Sequence, residues 1–192
     1  MRTAATLLAA CAIAWLGVES SAAVKVKTQF TKSFDFAKAK TWSWHDGGPG
    51  EVKMARTADD DPEVVRQRAE PVIMEAVAAA LPKRGLTAAA AGGPADLQIK
   101  YYVLITIGTD AQVIGQFLPA VAAWGLPPFA AATQSYTVIE QGSLVLDISA
   151  NKEVVWRGIG QAQLKPGQAQ EKRAALVREA VQEILKHYPP KP

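Results

Sequence analysis

The stretch from Tyr136 to Gly160 constrains this chain more than any other: Tyr-Thr-Val-Ile-Glu-Gln-Gly-Ser-Leu-Val-Leu-Asp-Ile-Ser-Ala-Asn-Lys-Glu-Val-Val-Trp-Arg-Gly-Ile-Gly. Two runs rich in β-branched and apolar residues flank Ser149-Ala150-Asn151-Lys152, a short polar connection of turn-forming residues, which predicts a β-hairpin. Side chains alternate across a strand, so the neighbours Trp156 and Arg157 must point to opposite faces and cannot form one site by themselves. Trp156 then reads as a core anchor and Arg157 as an ion-pair partner on the outer face. Asp147, in the first run, reads as solvent-facing or paired with Arg157 or Lys100.

Upstream, Val24 to Phe30 alternates apolar residues with Lys and Gln and predicts a half-buried or edge strand. Lys40 to His45 predicts a second, with Trp42 and Trp44 on one face; two tryptophans so placed are more often core than a ligand platform. Gly47 to Asp61 is a polar, turn-rich connection. Asp61-Pro62-Glu63 then starts a helix, with an acidic N-cap and a proline in the first turn. Val65, Ala69, Val72, Ile73, Ala76, Val77 and Ala80 give it one apolar stripe, and Pro71 should kink or divide it. Lys83-Arg84-Gly85 closes the element with basic residues and a C-capping glycine. Thr87 to Pro94 reads as a loop. Asp96 to Ile107 is a long central strand with Leu97, Ile99, Tyr101, Val103, Ile105 and Ile107 on one face. Gln168 to Tyr188 is a second amphipathic helix, ended by Pro189-Pro190.

Residues 108–134 form an insert with one charge, Asp110, and several large apolar residues, among them Phe117, Leu118, Trp124 and Phe129. Loops of this length in a compact domain tend to be functional, and an exposed apolar one marks a contact site. The competing expectation is that the insert folds over an open edge of the sheet and completes the core.

The N-terminus has the layout of a secretory signal: Met1-Arg2-Thr3, an apolar run from Ala4 to Val18, then small residues to Ala23. The run is shorter than the ~20 residues of a transmembrane helix. Residues 1–23 are expected to be removed, leaving residues 24–192 as a single domain. Leu8-Ala9-Ala10-Cys11 resembles a lipobox, but Cys11 sits early in the apolar run, so lipidation there is the lesser expectation. Cys11 is the chain's one cysteine, so a processed chain would have no disulfide, thiol nucleophile or thiolate metal site.

With 192 residues, nearly half of them apolar, the chain can build one sizeable core. The formal net charge is +3, and the basic residues are scattered rather than clustered, which argues against nucleic acid as a partner. The two histidines, His45 and His187, lie far apart in sequence, and a zinc site is not expected. No Gly-x-Ser-x-Gly elbow occurs for a serine hydrolase. Ala91-Gly92-Gly93-Pro94 has neither a Walker lysine nor dinucleotide spacing. Asp96 and Asp147 are the candidates for paired acids, only because both open or sit within strands.

Taken in order, several stretches resemble the bacterial DUF4136 family of exported and lipid-anchored envelope proteins. These are Phe34-x-Phe36 with Lys40-Thr41-Trp42-Ser43-Trp44; Lys83-Arg84-Gly85-Leu86; Ala95-Asp96-Leu97-Gln98-Ile99-Lys100-Tyr101; Gly142 to Asp147 with Val155-Trp156-Arg157-Gly158; and Ile184-Leu185-x-x-Tyr188-Pro189-Pro190. The resemblance implies an envelope location and no established biochemical activity.

The fold expected from the pattern is α+β: a two-layer sandwich of order β-β-α-β-β-β-α, with a mainly antiparallel sheet of about five strands and two helices on one face. The function expected is binding rather than catalysis, without a cofactor, with another envelope protein, a membrane surface or an apolar ligand as partner. A small apolar-ligand or lipid carrier is one form of that expectation; a hydrolase using Asp96 or Asp147 is the remote one.

Overall fold

The computed structural model describes residues 24–54, 61–90, 92–105, 112–114, 136–138, 142–164 and 167–191. Its centre is the expected hairpin, strands β8 (Gly142–Ala150) and β9 (Glu153–Ala162). Asn151 and Lys152 turn the chain with φ of 50° and 68°. Two consecutive positive φ values match the type I′ connection, whose twist suits two antiparallel strands. The hairpin is shorter at its start than the sequence pattern implies. Tyr136–Val138 (β7) pairs instead with Gln112–Ile114 (β6) in a separate two-stranded sheet.

The main sheet has seven strands rather than about five. Alongside β8 and β9 it contains β1 (Lys25–Phe30), β2 (Thr41–Trp44), β3 (Gly50–Met54), β4 (Thr87–Ala88) and β5 (Leu97–Ile105). Strand order runs β1-β9-β8-β5-β2-β4, and β3 also pairs with β5. Neighbours from β1 to β5 are antiparallel, whereas β2, β3 and β4 join by parallel pairing. The two extra strands fall where a polar connection and a loop were expected. β2 and β3 share one edge of β5: Trp42–Trp44 face Leu97–Ile99, and Gly50–Met54 face Tyr101–Ile105. Between them the chain swings out, held by His45 N–H to Ile99 O at 2.9 Å and Tyr101 N–H to Pro49 O at 2.9 Å. Gly50 is required at the re-entry, because a Cβ there would lie 2.3 Å from the Tyr101 ring.

Two helices, α1 (Pro62–Ala80) and α2 (Gln170–Leu185), cover one face of this sheet. Asp61 caps α1 as the sequence predicts, its side chain accepting from Glu63 N–H at 2.8 Å. Pro71 does not divide the helix. Both Pro71 and Gln67, whose carbonyl loses its usual donor, lie on the exposed side, where water can take that carbonyl. A 3-10 turn (Leu81–Arg84) follows, closed by Gly85 at φ 82°.

The core lies between helices and sheet. Ile73, Val77, Val181 and Ile184 meet Ile99, Tyr101, Leu146, Ile148 and Trp156 there, each at most 1% exposed. Gly158 sets the approach of α2, since a Cβ there would sit 2.3 Å from Ile184 Cγ2. At one end, residues from distant stretches form an aromatic cluster. Phe36 stands edge-on to Phe34 at 4.9 Å and to Tyr188 at 5.9 Å, and Tyr188 is edge-on to Trp156 at 5.5 Å. Burial pushes the Tyr188 phenol up to about 12.

Candidate functional site

Trp42, Trp44, Asp96, Asp147, Trp156 and Arg157, the singled-out residues that the structure describes, pack or pair within the sheet. Trp42 is buried in the core, edge-on to the half-buried Trp44 at 5.5 Å. Asp96 ties β2 to the start of β5: one carboxylate oxygen accepts from Lys40 N–H, Thr41 N–H and Thr41 Oγ1–H, each at 2.9 Å. Those bonds, led by Lys40 N–H, hold its pKa below the usual carboxylate value. Asp147 pairs across the hairpin with Arg157, Nε to Oδ1 and Nη2 to Oδ2 both at 2.6 Å. The partner is as expected, but the setting is not: the Arg157 and Asp147 side chains are 0% and 2% exposed, so this pair is buried rather than facing solvent.

The pair belongs to a row of charges across the sheet face opposite the helices. Lys100 stands next to Asp147 in the register and donates to Glu51 at 2.6 Å; Lys53 reaches the other Glu51 oxygen at 2.7 Å. The Lys100 bond is the main cause that lowers the Glu51 pKa. Around the row, Tyr102, Leu104, Val145 and Ile159 are also buried. Bidentate pairing fixes the position of such groups more than it stabilises them.

Phe117, Leu118, Trp124, Phe129 and Cys11 lie outside the described residues. Among the described residues there is no group of three or more His, Cys, Asp or Glu side chains placed to hold a metal ion, and no helix is long and apolar enough to cross a membrane.

Among the described residues, one cleft lies at each end of the helix pair. The first, about 390 Å³, opens where both helices begin. Val65, Ala69 and Val72 of α1 form one wall, and Ala174, Leu176 and Val177 of α2 the other. Val103, Ile105 and Leu164 form its floor at the end of the sheet. All nine are half-buried, and Ala69, Val103 and Val177 also pack against the core, so the lining is a partly open margin of it. Arg68, Arg173, Gln168 and Gln170 supply the polar groups at this cleft. Gln168 Oε1 is buried and has no hydrogen-bond partner among the described residues.

The second cleft, about 380 Å³, lies where the helices end and is rimmed by Lys83, Arg84, Arg178 and Lys186 over Ala76 and Leu185. Cations at helix C-termini answer the partial negative charge of the free carbonyl ends. That accounts for Lys83, Arg84 and Lys186, and the cleft is also lined by Glu75, which offsets part of the positive charge.

The first cleft is the better ligand site, combining apolar walls with a few polar groups in a volume near the lower end of the usual ~300–1,000 Å³ range. The sequence raises an apolar-ligand carrier and names the apolar faces of both helices and of the long strand, but it does not place the cleft, whose walls come from three elements far apart in the chain.

Comparison with known proteins places the fold. A solved DUF4136 family protein from Bacteroides thetaiotaomicron is similar with a TM-score of 0.53 and 18% identity, covering 86% of this chain and 96% of that one. A PDZ domain protein from Parabacteroides distasonis matches at TM-score 0.48 and 16% identity; 87% of this chain is covered, spanning 36% of that protein. The PelC dodecamer from Paraburkholderia phytofirmans matches at TM-score 0.38 and 11% identity, over 85% of this chain and 95% of that one. No curated protein matches the sequence. The model of the family described as a domain of unknown function, DUF4136, matches residues 26–190, and the chain belongs to that family.

Proposed function

We propose that this is a non-catalytic, exported cell-envelope protein that acts by binding, and that a small apolar ligand occupies the cleft where α1 and α2 begin. The observation that carries this reading is the cleft's partly open lining of nine half-buried apolar residues with two arginines and two glutamines beside it. Apolar surface left partly open in this way costs free energy in water and is offset when a ligand covers it. The structural engagement of Asp96 and Asp147 supports a role without catalysis, since each carboxylate is committed to holding two strands together. The signal-like residues 1–23 support export.

Native mass spectrometry of protein purified from the periplasm tests the reading. A co-purifying apolar molecule is expected, and it should be absent from Ala69→Phe, which fills the cleft. An empty wild-type spectrum, together with no uptake of an added apolar fluorophore, would sink the proposal. Fractionating cells with and without globomycin tests the location: a periplasmic protein whose processing ignores the inhibitor is expected, whereas an accumulating precursor would assign lipidation to Cys11. The charge-poor insert of residues 108–134 supports a second reading, contact with another envelope protein or the membrane surface. Deleting Phe117–Phe129 should then abolish retention while the fold persists; if the deletion unfolds the protein, the insert is core.

A further inference from the structure

Cations that are scattered in the sequence meet in space where the helix pair ends. Arg178 comes from α2, and Lys83 and Arg84 from the 3-10 turn that continues α1. Among the described residues, none of these three side chains is held in an ion pair. The fourth cation of the cleft, Lys186, is ion-paired with Glu183, and Glu75 adds one carboxylate to the lining. Counting both acids against the four cations leaves two net positive charges there. The helix ends favour cations at this place without consuming them. Leu81 O and Pro82 O already accept from Leu86 and Gly85 N–H, and Ile184 O and Leu185 O from His187 and Tyr188 N–H. Arg178 lies about two turns before the end of α2, beyond the reach of its terminal charge. Like charges gathered around a concavity repel one another, and its walls focus their field into the cleft.

We propose that this cleft binds the phosphate of a monoester, with the Arg84 and Arg178 guanidiniums donating to its oxygens and Lys83 adding charge. Such a group carries about −1.5 to −2 charges at neutral pH and three acceptor oxygens, which suits both the net charge of the cleft and the planar fork of a guanidinium. The volume of about 380 Å³ leaves room for a small organic body beside the phosphate. The same chemistry arrives on a free molecule or on a lipid headgroup. This site lies at the opposite end of the helix pair from the apolar cleft and does not depend on that cleft's ligand.

The test has two arms at low ionic strength, above the second phosphate pKa of about 6. Isothermal titration of the folded chain with glycerol phosphate, and with glycerol as the uncharged control, reads the free form. Flotation with phosphatidylcholine vesicles, with and without phosphatidic acid, reads the headgroup form. Glycerol phosphate should bind and glycerol should not; capture by the phosphatidic acid vesicles alone would assign the phosphate to a lipid. Arg178→Gln, an exposed substitution that should leave the melting temperature unchanged, should weaken whichever form binds by about tenfold. Glu75→Gln, which removes the offsetting carboxylate, should tighten it by about threefold. Arg68→Gln makes the same charge change at the far end of the helix pair and should leave binding unaltered. Equal weakening by Arg178→Gln and Arg68→Gln would mean diffuse attraction to a basic chain and overturns the site. So does the absence of binding to both glycerol phosphate and the phosphatidic acid vesicles.

Discussion

The two faces of the main sheet bury side chains of opposite character. Beneath the helices, Ile99, Tyr101, Leu146, Ile148 and Trp156 make an apolar layer in which Tyr101 brings one buried hydroxyl, donated to Glu70 Oε2 at 2.6 Å. Burial, and then that bond, raises the Tyr101 phenol well above its ordinary value. On the other face a row of charges runs from Arg157 through Asp147 and Lys100 to Glu51, with side-chain exposure rising from 0% to 2%, 18% and 40%. The first face is held by removing apolar surface from water and is tolerant of hydrophobic rearrangement. The second buries Tyr102, Leu104, Val145 and Ile159 around paired charges, and the buried end of that row is intolerant of losing one partner.

Adjacent residues on the hairpin give the sharpest contrast. Trp156→Ala should cost about 3–5 kcal/mol by leaving a cavity, and Arg157→Ala about the same by leaving Asp147 buried without its cation. Urea unfolding measures both. An Arg157→Ala cost below about 1 kcal/mol would mean that the second face behaves like an open surface, and the contrast would collapse. Next in size is Tyr101→Phe, which removes the hydroxyl bonded to Glu70 and should cost about 1.5–3 kcal/mol in the same assay. A smaller effect is expected from replacing both charges: Asp147→Leu with Arg157→Met should stay within about 1 kcal/mol of the parent. A double variant as unstable as the single ones would show that the pair contributes net stability.

The smallest effect concerns acid. The folded-state pKa of Asp96 lies below its unfolded value, because Lys40 N–H, Thr41 N–H and the Thr41 hydroxyl all favour the carboxylate. Its contribution is therefore present above the unfolded pKa of about 4 and fades as pH falls through the lower folded value. Melting temperature followed from about pH 5 to pH 2 should fall less steeply for Asp96→Asn than for the parent. Equal slopes would place the acid sensitivity elsewhere, with Glu51 as the next carboxylate to change.

How much of this was legible in the sequence depended on how local each feature is. The hairpin turn at Asn151-Lys152 and the Asp61 cap are set by neighbours in sequence, and both were readable. β3 was not: Gly50-Glu51-Val52-Lys53-Met54 follows a glycine- and proline-rich connection, and it is a strand because Tyr101 to Ile105 lie beside it. Alternation assigned Arg157 to the face opposite Trp156, but alternation says nothing about whether a face is covered. The cleft was beyond reach for a related reason, since α1, α2 and the end of β5 meet only in three dimensions. The family signature was legible because its aromatic residues do one job: Phe34, Phe36, Trp156 and Tyr188 are scattered in sequence and adjacent in space.

The hairpin's two-residue turn also bears on the order of assembly. β8 and β9 close on each other with almost no loop to restrain, whereas the Lys25↔Gln161 pair of β1 and β9 joins residues far apart in the chain. Loop-closure entropy favours the short connection and delays the long one. The hairpin is expected early and β1 late, so the outer edge of β9 would stand unpaired for part of every folding event. β1 places Lys25 and Lys27 in register with Gln161 and Ile159 on that edge. Its arrival would shield β9 and leave a lysine-bearing border, which discourages further strands from adding.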